Sequence, residues 1–421
     1  MLNTKLQWII GILTCILLTS YFHSGEKIKG VIWSDQEGYY IYLPSLFITG
    51  FDNARCTSGC NVVETPDGPL VFTKYTYGVS LLQSPFFFVA HALAPIFGFE
   101  RNGRSLPYIW GNMLAAIFYM LAGLAFLGKL LKELKFKTKV TWIVGVLLLA
   151  GSNLFYYTFR EAGMSHVFSF FLLSALAYGS YRMSLDNRSG WSIVSGMCLA
   201  LIVLIRPTNA IAILIPVLWG IGFREIPKRM VSLLTNYRFV FAGLISMVVL
   251  FTPQLLYWKM VTGKYLFYSY RDEGFIYWSQ PKMLQVLFSA QNGWLVYSPL
   301  MVFGLIGIGM MIKQKTKGWQ MSAITLLLAT YIFGSWWAWW FGGAYGHRCF
   351  VDFLPLLAVP MAYFTQVVLK YRKTLVVFSA ICIIFIFVNI RMSDIYMGMW
   401  DGPDWTWGNY FEKLKMVFYM R

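Results

Sequence analysis

Long apolar runs recur along the whole chain, separated by short polar segments. Most runs approach the roughly 20 residues that a helix needs to cross a hydrocarbon layer about 30 Å thick. The pattern predicts eleven membrane-spanning helices, at 6–22, 106–128, 140–158, 164–182, 191–205, 208–222, 239–261, 297–312, 320–337, 351–369 and 374–390. No small-residue cleavage site follows the first run before His23, so we predict a true span there rather than a signal peptide.

Five connections between the predicted spans are short and densely basic, at 129–139, 182–188, 224–238, 313–317 and 370–373. They contain 17 of the 35 Lys and Arg residues but only three of the 18 Asp and Glu residues. By the positive-inside rule these loops face the cytoplasm, together with the N-terminus. The other 15 carboxylates and all four His residues therefore fall on the opposite, external side.

The external side also has the long connections, which are 23–104, 263–296, 338–350 and the tail 391–421. Within the first of them, 38–49 and 77–94 are apolar and aromatic stretches bounded by Pro and Gly, and we predict helices lying on the membrane surface. Cys56 and Cys60 flank Thr-Ser-Gly in the same loop. They can form a disulfide in an oxidising compartment, whereas zinc would require two further ligands nearby.

Composition agrees with a membrane protein, because 58% of the residues are hydrophobic and only 13% are charged. The net charge of +17 is spread over loops instead of forming one basic domain, which argues against a nucleic-acid partner. We therefore predict an all-α polytopic membrane protein in which one domain covers residues 1–421.

Two groups of ionisable residues lie at the outer ends of the first spans. Asp35 and Glu37 follow the first span, where a carboxylate can act as a general base toward a hydroxyl or merely cap a helix. Arg160, Glu161 and His166 lie in the tight turn between the third and fourth spans. Such groups at the mouth of a helical bundle are functional candidates, although an Arg160–Glu161 ion pair is the alternative.

Arg206 is a permanent cation beside the helix breaker Pro207 in an otherwise apolar stretch. It requires an anion, which can be a lipid phosphate, a substrate phosphate or a protein carboxylate, unless it snorkels to the headgroups.

The segment 335–352 combines four Trp, three Gly and the pair His347-Arg348. Glycines let backbone amides approach a ligand, the Arg348 guanidinium can bind phosphate oxygens, and indole rings can stack on sugars. This loop is the strongest functional candidate in the sequence.

Several short motifs give the chain a resemblance to a known family. They are DQEGYY at 35–40, KYTYG at 74–78, PFF at 85–87, RPT at 206–208, GWLVYSP at 293–299 and WFGGAYGHR at 340–348. In this order they resemble the GT-C fold of polyprenyl-phosphate-sugar-dependent glycosyltransferases, which includes protein O-mannosyltransferases and lipid A aminoarabinose transferases. The resemblance implies a GT-C-like fold with about eleven transmembrane helices and surface helices in the first external loop.

The resemblance also implies roles for particular residues. The catalytic acid of the family lies in the first external loop, which corresponds to Asp35, but Gln36 separates it from Glu37 and leaves the choice of base open. An acceptor hydroxyl on a glycan, lipid or protein would attack the lipid-linked sugar with inversion. Candidate donor-phosphate ligands are Arg348, Arg160, Arg206, Lys74 and His347, and candidate substrate contacts are Glu161, His166, Tyr39, Tyr40, Trp339, Trp340 and Tyr345.

Other functions share some of these features. A polymerase or ligase of lipid-linked glycans would use the same external site with a different acceptor. A transporter or flippase is a further alternative, but the chain lacks two similar halves and its acids are biased toward one face. No cofactor is implied with certainty, and a divalent metal ion held with the help of His347 stays open. Only 31 residues follow Ile390, so we expect no soluble acceptor-binding domain there.

Overall fold

The computed structural model describes residues 4–24, 30–52, 55–186, 189–396 and 405–419. Parts of the predicted outer loop (25–29 and 53–54), of one basic loop (187–188) and of the tail (397–404 and 420–421) lie outside the described residues. The first half of the chain contains α1 (Thr4–Phe22), α2 (Asp35–Tyr40), α3 (Tyr42–Pro44), β1 (Asn61–Thr65), β2 (Gly68–Phe72), α4 (Gly78–Leu93), α5 (Leu106–Glu133), α6 (Thr138–Ala150), α7 (Leu154–Phe159), α8 (Ser165–Leu185) and α9 (Gly190–Ile205).

The second half is also helical. It contains α10 (Leu214–Leu218), α11 (Ile226–Leu234), α12 (Tyr237–Thr262), α13 (Met283–Phe288), α14 (Trp294–Tyr297), α15 (Val302–Lys313), α16 (Trp319–Ser335), α17 (Phe350–Phe353), α18 (Ala358–Val368), α19 (Arg372–Ile395) and α20 (Trp407–Tyr419). Short 3-10 segments lie at Pro95–Phe97, Pro207–Ile213, Phe223–Glu225, Pro299–Met301 and Leu354–Leu357, and a π-helical turn lies at Ser45–Thr49.

Each predicted span contains helical structure, so the mainly helical character of the fold is confirmed. Within the described residues, four helical stretches are long and apolar enough to cross a membrane: Leu106–Glu133, Tyr237–Thr262, Phe350–Val368 and Arg372–Ile395. The segments Pro207–Leu218 and Phe223–Leu234, bent by 92°, would make a fifth span if they act as one. The remaining spans of the eleven stay a prediction, because their helices are shorter, less apolar or broken.

Helix α12 exposes a row of large apolar side chains on its surface. Val248, Val249 and Ile245 are 68%, 61% and 60% exposed on this helix. Large aliphatic side chains in such a row are stable in lipid and costly in water. The protein is therefore a membrane protein.

The chain forms two compact units. The first contains Met1–Leu121, Tyr156–Phe168 and Leu250–Tyr270, and the second contains Ala122–Phe155, Ser169–Val249 and Arg271–Arg421. In the first unit, α3 packs on strand β2 and on the end of α12, with Tyr42, Val71 and Tyr257 in one buried cluster. The hairpin is antiparallel, pairs Asn61 with Phe72 and Thr65 with Gly68, and was not predicted.

In the second unit, α15 and α18 pack with little space between their backbones. A Cβ on Gly307 would lie 2.0 Å from the carbonyl oxygen of Pro360, so only glycine fits there. Small residues that allow such approach are common where helices associate in membranes.

Candidate functional site

Helix α2 carries both candidate carboxylates of the first external loop. It begins at Asp35, directly after Ser34, whose φ of 52° turns the chain. Asp35 is half-buried, whereas Glu37 is completely buried. The two carboxylates that the sequence left as alternatives for the base therefore differ in burial.

Glu37 accepts hydrogen bonds from a single loop. The amides of Thr57, Ser58 and Gly59 donate to its carboxylate oxygens at 3.0, 2.8 and 3.2 Å, and the Thr57 hydroxyl donates at 2.8 Å. The Arg104 guanidinium lies 2.5 Å from its Oε1. Burial alone would raise the pKa of Glu37, but the bonds from Thr57 and Ser58 and the charge of Arg104 outweigh it and hold the pKa below its usual value. Glu37 is therefore a weak base, and its carboxylate oxygens already accept hydrogen bonds from the protein itself.

The loop that holds Glu37 is closed by a disulfide between Cys56 and Cys60, so the disulfide alternative of the sequence analysis is the one observed. Its backbone lies directly on α2. A Cβ on Gly59 would lie 2.0 Å from the Ser34 carbonyl oxygen and 2.5 Å from the Gly38 nitrogen, which leaves room only for glycine.

Lys74 lies in a segment that packs against α2 from another side. The Thr73 hydroxyl donates to the Gly38 carbonyl oxygen at 2.9 Å, and the Tyr75 ring lies 4.2 Å from the Tyr39 ring, centroid to centroid. The Lys74 ammonium lies 5.7 Å from the Tyr75 ring centroid and 5.3 Å from that of Tyr270. Lys74 is thus a cation of the same unit as Asp35, held beside aromatic faces.

The turn with Arg160 and Glu161 also contacts α2. The Gly163 amide donates to Oε1 of Gln36 at 2.9 Å, so the residue between the two carboxylates anchors this turn. The Arg160 guanidinium donates to the Phe22 carbonyl oxygen at 2.9 Å, and Glu161 accepts from the Tyr156 hydroxyl at 3.0 Å. Three segments that are far apart in sequence therefore meet on one short helix.

The other predicted residues of this unit are mainly part of its core. His166 is completely buried and packs edge-on against Tyr157. Tyr40 is 2% exposed, and its hydroxyl donates to the Gly103 carbonyl oxygen at 2.7 Å. Tyr39 is 4% exposed and contributes its ring to the stack with Tyr75.

In the second unit, Arg206 has a protein carboxylate as its anion. Its Nε lies 3.6 Å from Oδ2 of the fully buried Asp352, and its Nη2 lies 3.0 Å from the Cys349 sulfur. The Asn209 amide donates to the same Asp352 oxygen at 2.7 Å. The sequence left a lipid phosphate, a substrate phosphate and a protein carboxylate open as the anion for Arg206. The structure shows a protein carboxylate, that of Asp352, beside it.

His347 is completely buried in the glycine- and Trp-rich loop. Its Nε2 lies 3.0 Å from the Trp339 carbonyl oxygen, which can only accept, so this nitrogen carries the proton. Burial lowers the pKa of His347 to about 3, and the nearby Arg206 charge acts in the same direction. The imidazole is therefore neutral, and it can contact a phosphate only as an uncharged group.

The remaining residues of that loop differ in exposure. Tyr345 is 1% exposed, and its hydroxyl donates to the side-chain oxygen of Asn389 at 3.1 Å, which is a core position. Trp339 and Trp340 pack edge to face at 5.6 Å, and the Trp340 carbonyl accepts from Asn292 at 2.9 Å. Arg348 is half-buried. Its role as a ligand of the donor phosphate stays a prediction.

Sequence reasoning missed several residues of both networks. Asp352 had a signal, because a lone acid at the start of a predicted span is a natural partner for Arg206, a lone cation between two other spans. Arg104, Thr57 and Ser58 gave none, since their role depends on how the loop folds. Among the described residues, no group of three or more His, Cys, Asp or Glu could hold a metal ion.

No protein-family model matches the chain, and no curated protein matches it. A solved structure does match, namely ArnT from Cupriavidus metallidurans bound to undecaprenyl phosphate. The two chains share 11% sequence identity with a TM-score of 0.57, and the match covers 99% of this chain and 78% of that one. The likeness confirms that this chain has the GT-C fold that its motifs indicated.

Proposed function

We propose that the protein transfers a sugar from a polyprenyl-phosphate donor to a hydroxyl acceptor on the external face of a bacterial inner membrane. The observation that carries the proposal is the assembly on α2, where Asp35 shares one compact unit with the segments of Lys74 and Arg160. The matched ArnT structure binds undecaprenyl phosphate, which supports a lipid-linked donor.

In the proposed reaction Asp35 is the general base. Its carboxylate accepts the proton of the acceptor hydroxyl while the hydroxyl oxygen forms a bond to the anomeric carbon of the sugar. The bond between that carbon and the phosphate oxygen breaks, and its electron pair leaves with the polyprenyl phosphate. Attack from the face opposite the phosphate inverts the anomeric configuration. Glu37 is excluded as the base because its oxygens already accept bonds from the 56–60 loop.

Negative charge grows on the phosphate oxygens as the bond breaks, so cations that are already in place stabilise the transition state. We assign Lys74 and Arg160 to this task. The role of Arg348 as a donor ligand stays a prediction from the sequence. Arg206 is assigned to the fold, because Asp352 balances its charge. Glu161 remains a candidate for a contact with the sugar. The stacking of Trp339 and Trp340 on a sugar stays a prediction from the sequence.

Binding of the carrier lipid tests the proposal directly. The purified protein in lipid nanodiscs should bind undecaprenyl phosphate more tightly than undecaprenol, which has the same chain without the phosphate. Lys74→Ala should weaken binding of the phosphate form about tenfold to a hundredfold, which corresponds to a charge-assisted contact of roughly 1.5–3 kcal/mol.

A matched control is available in Lys282, which is also half-buried and lies 4.8 Å from a tyrosine ring centroid, that of Tyr277. Lys282→Ala should leave the affinity unchanged. Equal binding of the two lipids by the unmodified protein would contradict a phosphate-linked donor, and an unchanged affinity of Lys74→Ala would remove Lys74 from the site.

A further inference from the structure

Helix α2 depends on its neighbours for its geometry. It has six residues, Asp35–Tyr40, and a helix of this length is not stable by itself. The position of Asp35 is therefore determined by whatever fixes the rest of the helix and the residue before it.

The disulfide-closed loop at 56–60 contacts α2 at both of these points. It binds the Glu37 carboxylate through three successive amides, and the Ser58 hydroxyl accepts from the Ser34 amide at 2.7 Å. Arg104 joins the same assembly, since it pairs with Glu37 and donates to the Arg55 carbonyl oxygen. The loop thus holds the chain on both sides of Asp35, at Ser34 before it and at Glu37 two positions after it.

Three consecutive amides can converge on one carboxylate only if the loop is tightly curled. The bond between Cys56 and Cys60 closes this curl and removes open conformations of the loop. Glu37 supplies the charge that these donors bind, and it lies two positions after Asp35.

We propose that Glu37 is a positioning residue, clamped by the disulfide-closed loop 56–60, and that this clamp holds Asp35 in place for proton abstraction. The inference rests on the proposed function. It implies that the enzyme reaches its full rate only when Cys56 and Cys60 are joined.

Steady-state transfer kinetics test the clamp with Glu37→Gln, with the double change Cys56→Ser and Cys60→Ser, and with all three changes together. Each of the first two variants should lower kcat about tenfold to a hundredfold, the effect of misplacing a catalytic group by about 1 Å. The KM for the donor should stay unchanged, because the clamp acts on the chemical step. The loss in kcat for all three changes together should be no greater than the larger of the two separate losses, because Glu37→Gln and the double Cys change disrupt the same clamp.

Conservative and matched variants separate positioning from general damage. Glu37→Asp keeps the charge and should recover part of the rate lost in Glu37→Gln. Glu64→Gln alters an exposed carboxylate of the same outer loop, and Cys382→Ala removes a thiol outside the disulfide, so both should keep the wild-type rate. Additive losses for the combined variant, or a full rate without the disulfide, would overturn the proposal.

Reduction of folded wild-type protein with a phosphine tests the role of the disulfide even if the Cys variants do not fold correctly. Reduction should lower kcat to the value of the Cys56/Cys60 variant, and it should leave that variant unaffected. An unchanged rate after complete reduction, verified by thiol counting, would also overturn the proposal.

Hydrogen exchange tests the clamp without any activity. Amides of 35–41 should exchange faster in the reduced protein than in the oxidised protein, and equal exchange would refute the clamp. If the exchange differs but the wild-type protein transfers no sugar, the proposed function fails and the clamp stands.

Discussion

The pair of Arg206 and Asp352 gives the sharpest test of how the second unit is stabilised. Asp352 is fully buried, and its oxygen lies 3.6 Å from the Arg206 Nε and 2.7 Å from the Asn209 amide. Asp352→Ala removes the acid that pairs with Arg206 and leaves a guanidinium whose side chain is 14% exposed. We expect a large loss of stability from this one change.

The geometry sets the magnitude. Two charges 3.6 Å apart attract by about 5 kcal/mol at an effective dielectric constant of about 20. Removing one partner of a buried pair typically costs about 3–5 kcal/mol, because the other charge stays buried. Since Arg206 keeps a small exposed fraction, we expect about 3 kcal/mol for Asp352→Ala.

The free energy of unfolding, measured by titrating detergent-solubilised protein with SDS, is the appropriate assay. Asp394→Ala is the matched control, since Asp394 pairs with Arg391 at 3.8 Å but both side chains are more than a fifth exposed. Exposed pairs contribute at most about 1 kcal/mol. Adding Arg206→Met to Asp352→Ala should restore part of the stability, because it removes the uncompensated charge.

Equal small losses for Asp352→Ala and Asp394→Ala would refute this account of the pair. Arg206 would then return to the set of residues available for the donor phosphate. A large loss in undecaprenyl phosphate affinity for Arg206→Met, with unchanged stability, would support the same conclusion.

Two further predictions concern the first unit. Because the pKa of Glu37 is lowered in the folded protein, its stabilising effect is present above pH 4.5, the ordinary value, and is lost as the pH falls through the folded value. The melting temperature of wild-type protein should therefore exceed that of Glu37→Gln at pH 7, and the difference should shrink as the pH is lowered below 4.5, whereas a constant difference would show that the carboxylate charge is not involved. Gly59→Ala should destabilise the protein by about 1–3 kcal/mol and slow transfer, because its Cβ would overlap the Ser34 carbonyl oxygen. Gly145 has open space around it, so Gly145→Ala should change neither the free energy of unfolding nor the transfer rate.

Much of the helical architecture follows from the apolar runs, because backbone groups in lipid must bond internally and a helix achieves this within one segment. The interruptions are harder to predict. The β1–β2 hairpin had a local signal in Thr65-Pro66-Asp67-Gly68 between two β-branched runs, but the membrane pattern around it favoured helices. Helix α20 lies in a tail of mixed polarity and was not predicted.

The site was predictable as a set of residue types but not as a geometry. Asp35 and Arg160 could be chosen because ionisable groups at the mouth of a helical bundle are functional candidates, whereas Lys74 was chosen only through the family resemblance. The choice between Asp35 and Glu37 depends on amides 20 to 22 residues away, which no local pattern reveals. Burial likewise separates Tyr40 and Tyr345, which are core residues, from the half-buried Arg348.

The central claim is that the Asp35 carboxylate takes the proton of the acceptor hydroxyl. The most direct measurement is the transfer rate of Asp35→Asn in nanodiscs with a polyprenyl-phosphate sugar, beside wild-type protein and the exposed control Glu64→Gln. Asp35→Asn should bind undecaprenyl phosphate with wild-type affinity, while its rate falls by at least about a hundredfold, as expected when a general base is lost. Transfer by Asp35→Asn at the wild-type rate would contradict the account.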